Sequence, residues 1–214
     1  VVKLLDKDQS VIEETFTDNE GKFEFKVYTD ENYILIGEKE NYFSTRGDFS
    51  TIGKSLDKSK LKEFVTNVEF EKNLILNKIE VNKSIVLDNI YYDLNKADIR
   101  DDAAIELDKL AIIMVDNPTI FIELSSHTDD RATVEYNQEL SQRRAESAVS
   151  YIISKGIKKE RIAAKGYGES QLLILNAKTE DEHQKNRRTE FKVTSYEFID
   201  DSDADDEDRF FNNN

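Results

Sequence analysis

The sequence predicts an α+β protein with two folded domains, a small antiparallel β-sandwich followed by a mixed β-sheet with helices on one face. Two observations predict this architecture. Residues 1–50 consist of short alternating stretches separated by turn residues, whereas residues 83–198 alternate strand-like stretches with two long patterns of helical period. We therefore divide the chain into residues 1–82, residues 83–198 and a terminal segment, residues 199–214.

Four stretches near the start of the chain have the composition of strands. The segment K-F-E-F-K-V-Y alternates polar and apolar side chains, as a half-buried strand does. The turn T-D-N-E-G precedes it, and Gly21 supplies the positive φ angle that such a turn requires. The spacing favours a small antiparallel sandwich. The predicted strands are residues 1–5, 11–16, 22–28 and 32–38.

The stretch 51–82 has a weaker pattern. Residues 59–65 fit a short helix, while residues 64–70 and 74–81 alternate enough to be strands. This stretch either completes the sandwich or links it to the second domain, and we place the boundary near Asn82.

The second domain combines two helices with four strands in the order βαβαββ. Apolar residues recur at spacings of three and four in residues 101–115 and 133–155, which predicts helices. Pro118 and Gly156 follow these segments, as residues that stop helices often do. This order predicts a mixed sheet with both helices on one face. The predicted strands are residues 85–92, 120–124, 161–165 and 191–198.

Composition argues against several classes of function. The 214 residues carry a formal net charge of −15, which opposes binding to nucleic acid or to anionic lipid because both need a basic face. The chain has no cysteine and two histidines, so we predict no disulfide, no metal site and no cofactor. No apolar run is long enough to span a bilayer.

Both ends of the chain lead to an expectation. The chain begins at Val1 rather than methionine, so we expect it to be a piece of a longer protein whose export signal lies elsewhere. Residues 200–208 are almost all acidic, and we expect the terminal segment to be a disordered, solvated tail. Calcium binding is the alternative, although the run lacks the glycine and spaced glutamate of an EF-hand loop.

Two opposite charges stand out in the second domain. Asp129 follows the apolar strand 120–124 in a polar turn, and Arg144 comes fifteen residues later inside the second helical pattern. An α-amino acid centre carries both charges, since its carboxylate can accept two hydrogen bonds from arginine and its ammonium can donate to aspartate. The alternative is an internal ion pair that only fixes a loop to a helix. We therefore predict that these two side chains converge on one cleft.

Six blocks of sequence, in a fixed order over about half of the chain, carry a family resemblance. From about Ser84 to Tyr196 the sequence resembles the OmpA-like peptidoglycan-binding domain of Gram-negative cell envelopes. The resemblance implies an OmpA-like fold and a periplasmic location associated with the outer membrane. The blocks are I-Y-Y-D-L-N-K-A-D-I-R (90–100), the Leu107–Leu110 helix ending in N-P (117–118), S-H-T-D (126–129), Y-N-x-x-L-S-Q-R-R-A (136–145), K-G-Y-G-E (165–169) and N-R-R-T-E-F-K-V (186–193).

The resemblance also implies a ligand and its contacts. In the family, the residues that match Asp129 and Arg144 hold the ammonium and carboxylate groups of diaminopimelate in the peptidoglycan stem peptide. Tyr136 is expected in the core. Arg188 is expected to have a structural role and not to contact the ligand. His127 is expected to fix the loop that forms the floor of the site. The implied ligand-binding residues are Asp129, Arg144, Asn137, Arg187, Asp93, Thr128 and Arg131.

A second resemblance covers the start of the chain. The pattern L-L-D-K-D-Q-S-V-I-x-x-T-F-T-D-N-E-G-K-F-x-F is similar to the carboxypeptidase-regulatory-like β-sandwich module. In that family one or two strands precede this part, so residues 1–82 are expected to be an incomplete module. Modules of this kind usually have a structural role. Envelope proteins that join the two modules often tether a machine to the wall, so envelope proteins such as secretion-machinery components are further implied partners.

Three functions remain open at this stage. The first is a non-catalytic anchor that binds the peptide stem of the cell wall. The second is a peptidoglycan hydrolase that would use Asp or Glu with His127, although the sequence lacks a nucleophile elbow, a metal cluster and a cysteine nucleophile. The third is a scaffold of an envelope complex with a vestigial pocket. We predict the anchor and no enzymatic activity.

Overall fold

The computed structural model describes residues 1–54, 68–88, 90, 92 and 96–196. The chain divides after Ile79 into two compact units, each with its own sheet. The predicted helix 59–65 and Asp93 lie outside the described residues, as does most of the predicted strand 64–70. The terminal segment 199–214 also lies outside them.

The first unit is built on a four-stranded antiparallel sheet with the strand order β2-β1-β3-β4. Its core lies on one face of the sheet, where Val2, Leu4, Tyr33 and Leu35 are buried. Partly buried side chains of Phe23, Phe25, Val27, Phe49 and Leu74 pack against that core. The strands are β1 (Val2–Leu5), β2 (Val11–Thr15), β3 (Asn32–Gly37) and β4 (Thr45–Ser50).

The predictions for this unit are confirmed in part. The turn before Lys22 forms, with Gly21 at a φ of 83° and its N–H donating to Asp18 O. Residues 22–28 pair with no strand among the described residues, so the prediction of a strand there is wrong. Their alternation instead places three apolar side chains over the sheet, and these act as the second layer. β4 was not predicted, because T-R-G-D-F-S lacks a regular alternation.

The second unit is a four-stranded mixed sheet in the order β5-β8-β6-β7. β6 and β7 are parallel, while β8 pairs antiparallel with both β5 and β6. This confirms the predicted mixed α+β architecture and adds α3 before the last strand. The elements are β5 (Ser84–Leu87), α1 (Asp101–Asp116), β6 (Ile120–His127), α2 (Val134–Ser154), a 3₁₀ turn (Lys159–Arg161), β7 (Ile162–Gly168), α3 (Glu180–Asn186) and β8 (Thr189–Tyr196).

The packing of α2 on the sheet positions the site. α2 lies against β6 and β7 and also contacts α1. It begins after Thr133, whose hydroxyl accepts a hydrogen bond from Tyr136 N at 3.3 Å, as an N-cap does. Gly166 of β7 allows the close approach, since a Cβ there would lie 2.3 Å from Gln142 N. The helix therefore holds its buried face directly over the carboxyl ends of the two parallel strands.

The cores of the two helices agree with the predicted periodicity. On α1 the buried residues include Leu107, Leu110 and Met114, and on α2 they include Leu140 and Ile152. Neither helix is long and apolar enough to cross a membrane, and the same holds for every other helix in the described part of the chain.

Candidate functional site

The loop after β6 presents Asp129 in a nearly closed environment, with 11% of its side chain exposed. Its Oδ2 accepts hydrogen bonds from Arg131 Nη2 at 2.7 Å and from Arg187 Nη1 at 2.5 Å. Its Oδ1 accepts one bond, from the backbone N–H of Arg131 at 3.2 Å. Burial raises the pKa of Asp129, but the hydrogen bonds from the two arginines outweigh burial and hold the pKa below its ordinary value.

A second carboxylate shares the same two arginines. Glu180, the first residue of α3, accepts from Arg131 Nη1 at 2.8 Å and from Arg187 Nη2 at 2.6 Å. Arg187 also donates to Gln184 Oε1. The result is a network of two acids and two arginines that is buried at Asp129 and open to solvent at Glu180, whose side chain is 65% exposed.

Arg144 projects from the buried face of α2 and is only 6% exposed. Its Nε donates to the carbonyl oxygen of Lys96 at 3.0 Å. Its guanidinium lies over the ring of Tyr92, with 4.7 Å between Cζ and the ring centroid. Burial lowers the pKa of Arg144, and the positive charge of Arg187 adds to that lowering. A negatively charged ligand group would relieve this repulsion.

Asn137 and Thr128 hold the loop around Asp129 rather than pointing to solvent. The Asn137 Nδ2 group donates to Asp129 O at 3.0 Å and to Glu169 Oε2 at 2.5 Å. The backbone N–H of Thr128 donates to Gly168 O at 2.9 Å, which ties the loop to the end of β7. Asn137 and Thr128 are both buried. These contacts therefore fix the backbone of the site.

His127 closes the inner end of the site. Its Nε2 lies 3.0 Å from Glu190 Oε1, and its ring stacks on Tyr167 with centroids 5.3 Å apart. The hydrogen bond with His127 is the main cause of the lowered pKa of Glu190. Arg188 is also buried and donates to the backbone oxygen of Gln171 at 3.1 Å. These contacts agree with the predicted structural roles of His127 and Arg188.

A small cleft joins these elements. It has a volume of about 50 Å³, and both Arg144 and Arg187 line it. Small-molecule sites usually have at least ~300 Å³, so this cleft can receive only the end of a larger ligand. Its described lining residues are Ile90, Tyr92, Ser126, His127, Arg144, Gln184, Arg187, Arg188 and Thr189.

The structure brings the predicted residues together in a different way from the one expected. Asp129 does not belong to the described lining of the cleft and reaches it through Arg187. Arg131 lies on the outer side of Asp129, with 49% of its side chain exposed. Tyr136, expected in the core, is 36% exposed because it falls on the solvent side of α2.

Glu180 and Gln184 are contacts that the sequence reading missed, because α3 was not predicted. The helix has seven residues and no apolar periodicity. A signal was nevertheless present: Thr179 and Glu182 form a capping box, in which each side chain bonds the backbone N–H of the other residue. The T-x-x-E spacing could have located this helix start.

The described residues contain no group of three or more His, Cys, Asp or Glu side chains that could hold a metal ion. The titratable groups of the site are instead paired with each other, as Asp129 is with Arg187 and His127 with Glu190. The arrangement can bind charged groups by hydrogen bonds, and it offers two arginines to an anion.

The fold and the site together define an α+β domain with a small cationic cleft where β6 meets α2. Residues 91–187 match the family model described as the OmpA family. The chain thus contains an OmpA family domain over these residues, which confirms the resemblance found in the sequence.

Individual proteins are similar to about half of the chain. The chain is 33% identical over 100 residues to a peptidoglycan-associated lipoprotein of Buchnera aphidicola subsp. Baizongia pistaciae, covering 47% of this chain and 57% of that protein. It is 34% identical over 111 residues to a protein named photosystem I P700 chlorophyll a apoprotein A2 of Gloeobacter violaceus, covering 50% of this chain and 13% of that protein. The chain thus spans only part of both curated relatives.

Among solved structures, the peptidoglycan-associated lipoprotein from Burkholderia pseudomallei is similar to this chain at 26% sequence identity, with a TM-score of 0.46. The match covers 49% of this chain and 87% of that structure.

Proposed function

We propose that this protein binds peptidoglycan without catalysis, through the diaminopimelate-containing stem peptide, and anchors a larger envelope protein or complex to the cell wall. The OmpA family domain and a relative named peptidoglycan-associated lipoprotein support the proposal. A periplasmic location associated with the outer membrane belongs to the same proposal, as do further envelope partners such as secretion-machinery components.

The main support for the proposal is that Arg144 and Arg187 both line one small cleft. Asp129 is hydrogen-bonded to Arg187. A ligand carboxylate in the cleft would lie beside two guanidiniums that can donate hydrogen bonds to it. The neighbouring ammonium group would donate to Asp129, whose Oδ1 accepts one hydrogen bond among the described residues, from the backbone N–H of Arg131. One amino acid centre satisfies both ends of this arrangement.

The size of the cleft also favours a peptide end group over a whole sugar. A space of about 50 Å³ lies far below the usual volume of a small-molecule site, roughly 300 Å³ or more, so it can receive one end group and not a disaccharide. Diaminopimelate presents a second amino acid centre at the end of its side chain, and this centre fits the description. We therefore place that centre in the cleft and the rest of the peptidoglycan outside it.

A titration with the diaminopimelate-containing stem peptide tests the proposal. The comparison ligand is the same peptide with lysine at that position, because the lysine side chain ends in an amine without the second carboxylate. We expect the wild-type chain to bind the diaminopimelate peptide more tightly than the lysine peptide. Arg144→Ala and Asp129→Ala should each weaken the binding at least about tenfold, because truncating one partner of a buried charged contact costs 2 kcal/mol or more, as an order of magnitude. Arg143→Ala is the matched control, since Arg143 is the neighbouring arginine with 47% of its side chain exposed.

Retention on purified sacculi completes the test. Sacculi that contain diaminopimelate should retain the wild-type chain, and the two alanine variants should pass through. Equal affinity for the lysine peptide and the diaminopimelate peptide would refute the proposed specificity. Release of muropeptides by the wild-type chain would instead indicate an enzyme.

One observation favours a second candidate, a scaffold module with a vestigial pocket. Asp129 already accepts hydrogen bonds from both Arg131 and Arg187, as a purely structural carboxylate would. Unchanged retention on sacculi in both alanine variants, combined with loss of thermal stability, would support the scaffold.

A further inference from the structure

The ion network around Asp129 contains one acid that the proposed ligand contacts do not use. This acid is Glu180, which bonds the same two arginines as Asp129. Resting on the proposed function, we infer that Glu180 is a positioning residue: it receives the guanidinium of Arg131 when a ligand ammonium group binds Asp129.

The carboxylate of Asp129 is already occupied by several hydrogen-bond donors. Its Oδ2 accepts from Arg131 Nε at 3.0 Å, from Arg131 Nη2 at 2.7 Å and from Arg187 Nη1 at 2.5 Å. A carboxylate offers about four lone-pair positions in all. An ammonium group can donate once to Oδ1, but a second bond, to Oδ2, competes with the guanidinium donors there and requires at least one of them to move.

Arg131 can move away from Asp129 without losing a charged partner. Its Nη1 already lies 2.8 Å from Glu180 Oε2, and its Nη2 lies 3.5 Å from Glu180 Oε1. A small rotation of the guanidinium converts this contact into a two-pronged one while its bonds to Asp129 open. Arg131 is half exposed, so its side chain has room for this rotation, whereas Arg187 is only 22% exposed.

Glu180 is held in a position from which it can receive Arg131. It is the first residue of α3, directly after the capping box formed by Thr179 and Glu182. The box fixes the backbone of Glu180 on the solvent side of the network. The four charges of the network sum to zero, with Asp129 and Glu180 negative and Arg131 and Arg187 positive. Without Glu180, Asp129 would be the one described carboxylate bonded to either arginine, and an ammonium group would displace them less readily.

The test compares diaminopimelate with pimelate, which has the same two carboxylates and no amino group. Glu180→Gln should weaken the binding of diaminopimelate about two- to fivefold, the range expected for a solvent-exposed ion pair. Its affinity for pimelate should not fall, because pimelate leaves Asp129 to the arginines. Glu180→Asp should restore part of the diaminopimelate affinity.

Asp181→Asn is the matched control, because Asp181 is the next residue of the same helix and is exposed. This substitution removes the same charge as Glu180→Gln. It should leave both affinities unchanged. Equal losses for the two ligands in Glu180→Gln, or no loss for either, would overturn the role of Glu180 while the wild-type affinity for diaminopimelate still supports the proposed function. A wild-type chain that does not bind diaminopimelate would overturn both.

A spectroscopic measurement follows the movement itself. The Nε–H of Arg131 donates to Asp129, so its nuclear magnetic resonance signal should shift when diaminopimelate saturates the wild-type chain and should stay in place with pimelate. An Arg131 Nε–H signal that shifts with neither ligand would contradict the movement of Arg131 from Asp129 to Glu180.

Discussion

At the scale of single residues, Asp129 links stability to pH. Its folded pKa lies below the ordinary aspartate value, so its contribution to the free energy of unfolding is present above about pH 4 and is lost as the pH falls through the folded pKa. Asp129→Asn should cost about 1–3 kcal/mol at neutral pH, since bonds to charged groups are replaced by bonds to an amide.

The difference in stability between the wild-type chain and Asp129→Asn should therefore shrink as the solution is acidified from about pH 5 to pH 2. Urea unfolding at each pH measures this difference. A difference that stays constant over the whole range would show that the charge of Asp129 adds nothing to the folded state.

The site residues could be selected where sequence blocks match the family. The residues that their side chains contact could not be predicted. Asp129, Arg144 and Arg187 could be selected from H-T-D, S-Q-R-R-A and N-R-R. That Arg187 would connect Asp129 to the cleft depends on a contact between residues 58 positions apart. No local pattern encodes such a distance.

At the scale of elements, α3 and the loop before it depend on one buried side chain. Asn186 is fully buried, and its Oδ1 accepts from the backbone N–H groups of Leu173 and Ile174 at 2.9 Å. Its Nδ2 donates to Ile174 O. Asn186→Ala should lower the free energy of unfolding by about 2–3 kcal/mol, because these buried backbone groups lose their partners.

The neighbouring residue provides the control for this prediction. Lys185→Ala removes an exposed side chain from the same helix and should change stability by less than about 0.5 kcal/mol. Chemical denaturation of both variants makes the comparison. Equal stability of Asn186→Ala and the wild-type chain would mean that water replaces the lost hydrogen bonds.

The contact between β7 and α2 leads to another prediction at this scale. A Cβ on Gly166 would lie 2.3 Å from Gln142 N and 2.6 Å from Gln142 Cα, and backbone atoms cannot give way as a flexible side chain can. Gly166→Ala should destabilise the second unit by about 1–3 kcal/mol or more. Lys165→Ala, at an exposed position of the same strand, is the control, and thermal unfolding followed by circular dichroism measures both. A melting temperature unchanged by Gly166→Ala would refute this reading of the packing.

Long helices with a regular apolar spacing were predictable from the sequence, and short elements were not. The patterns 101–115 and 133–155 predicted α1 and α2 within one or two residues of their ends, because a buried helix face imposes a regular spacing. The segment 22–28 shows the opposite case. Its alternation reflects one buried and one exposed side, and this does not require hydrogen bonds to a neighbouring strand.

At the scale of the whole molecule, the two units each have the parts of a separate domain. The first has its own sheet and core around Leu4 and Leu35, and the second has its own sheet and helices. The sequence predicts the domain boundary near Asn82, and in the structure the chain divides after Ile79. We propose that residues 83–198 form the binding domain and that residues 1–82 form a separate, carboxypeptidase-regulatory-like module.

A protein that contains only residues 80–214 tests this division. Every described contact of Asp129, Arg144, Arg187 and Glu180 comes from within this range, so removal of the first unit should leave the site intact. We expect a cooperative unfolding transition and an affinity for diaminopimelate within about twofold of the full chain, because separate domains couple weakly. Isothermal titration and thermal unfolding of both proteins provide the comparison. A shortened protein that folds but binds much more weakly would show that the first unit takes part in recognition, and one that does not fold would show that the second unit is not an independent domain.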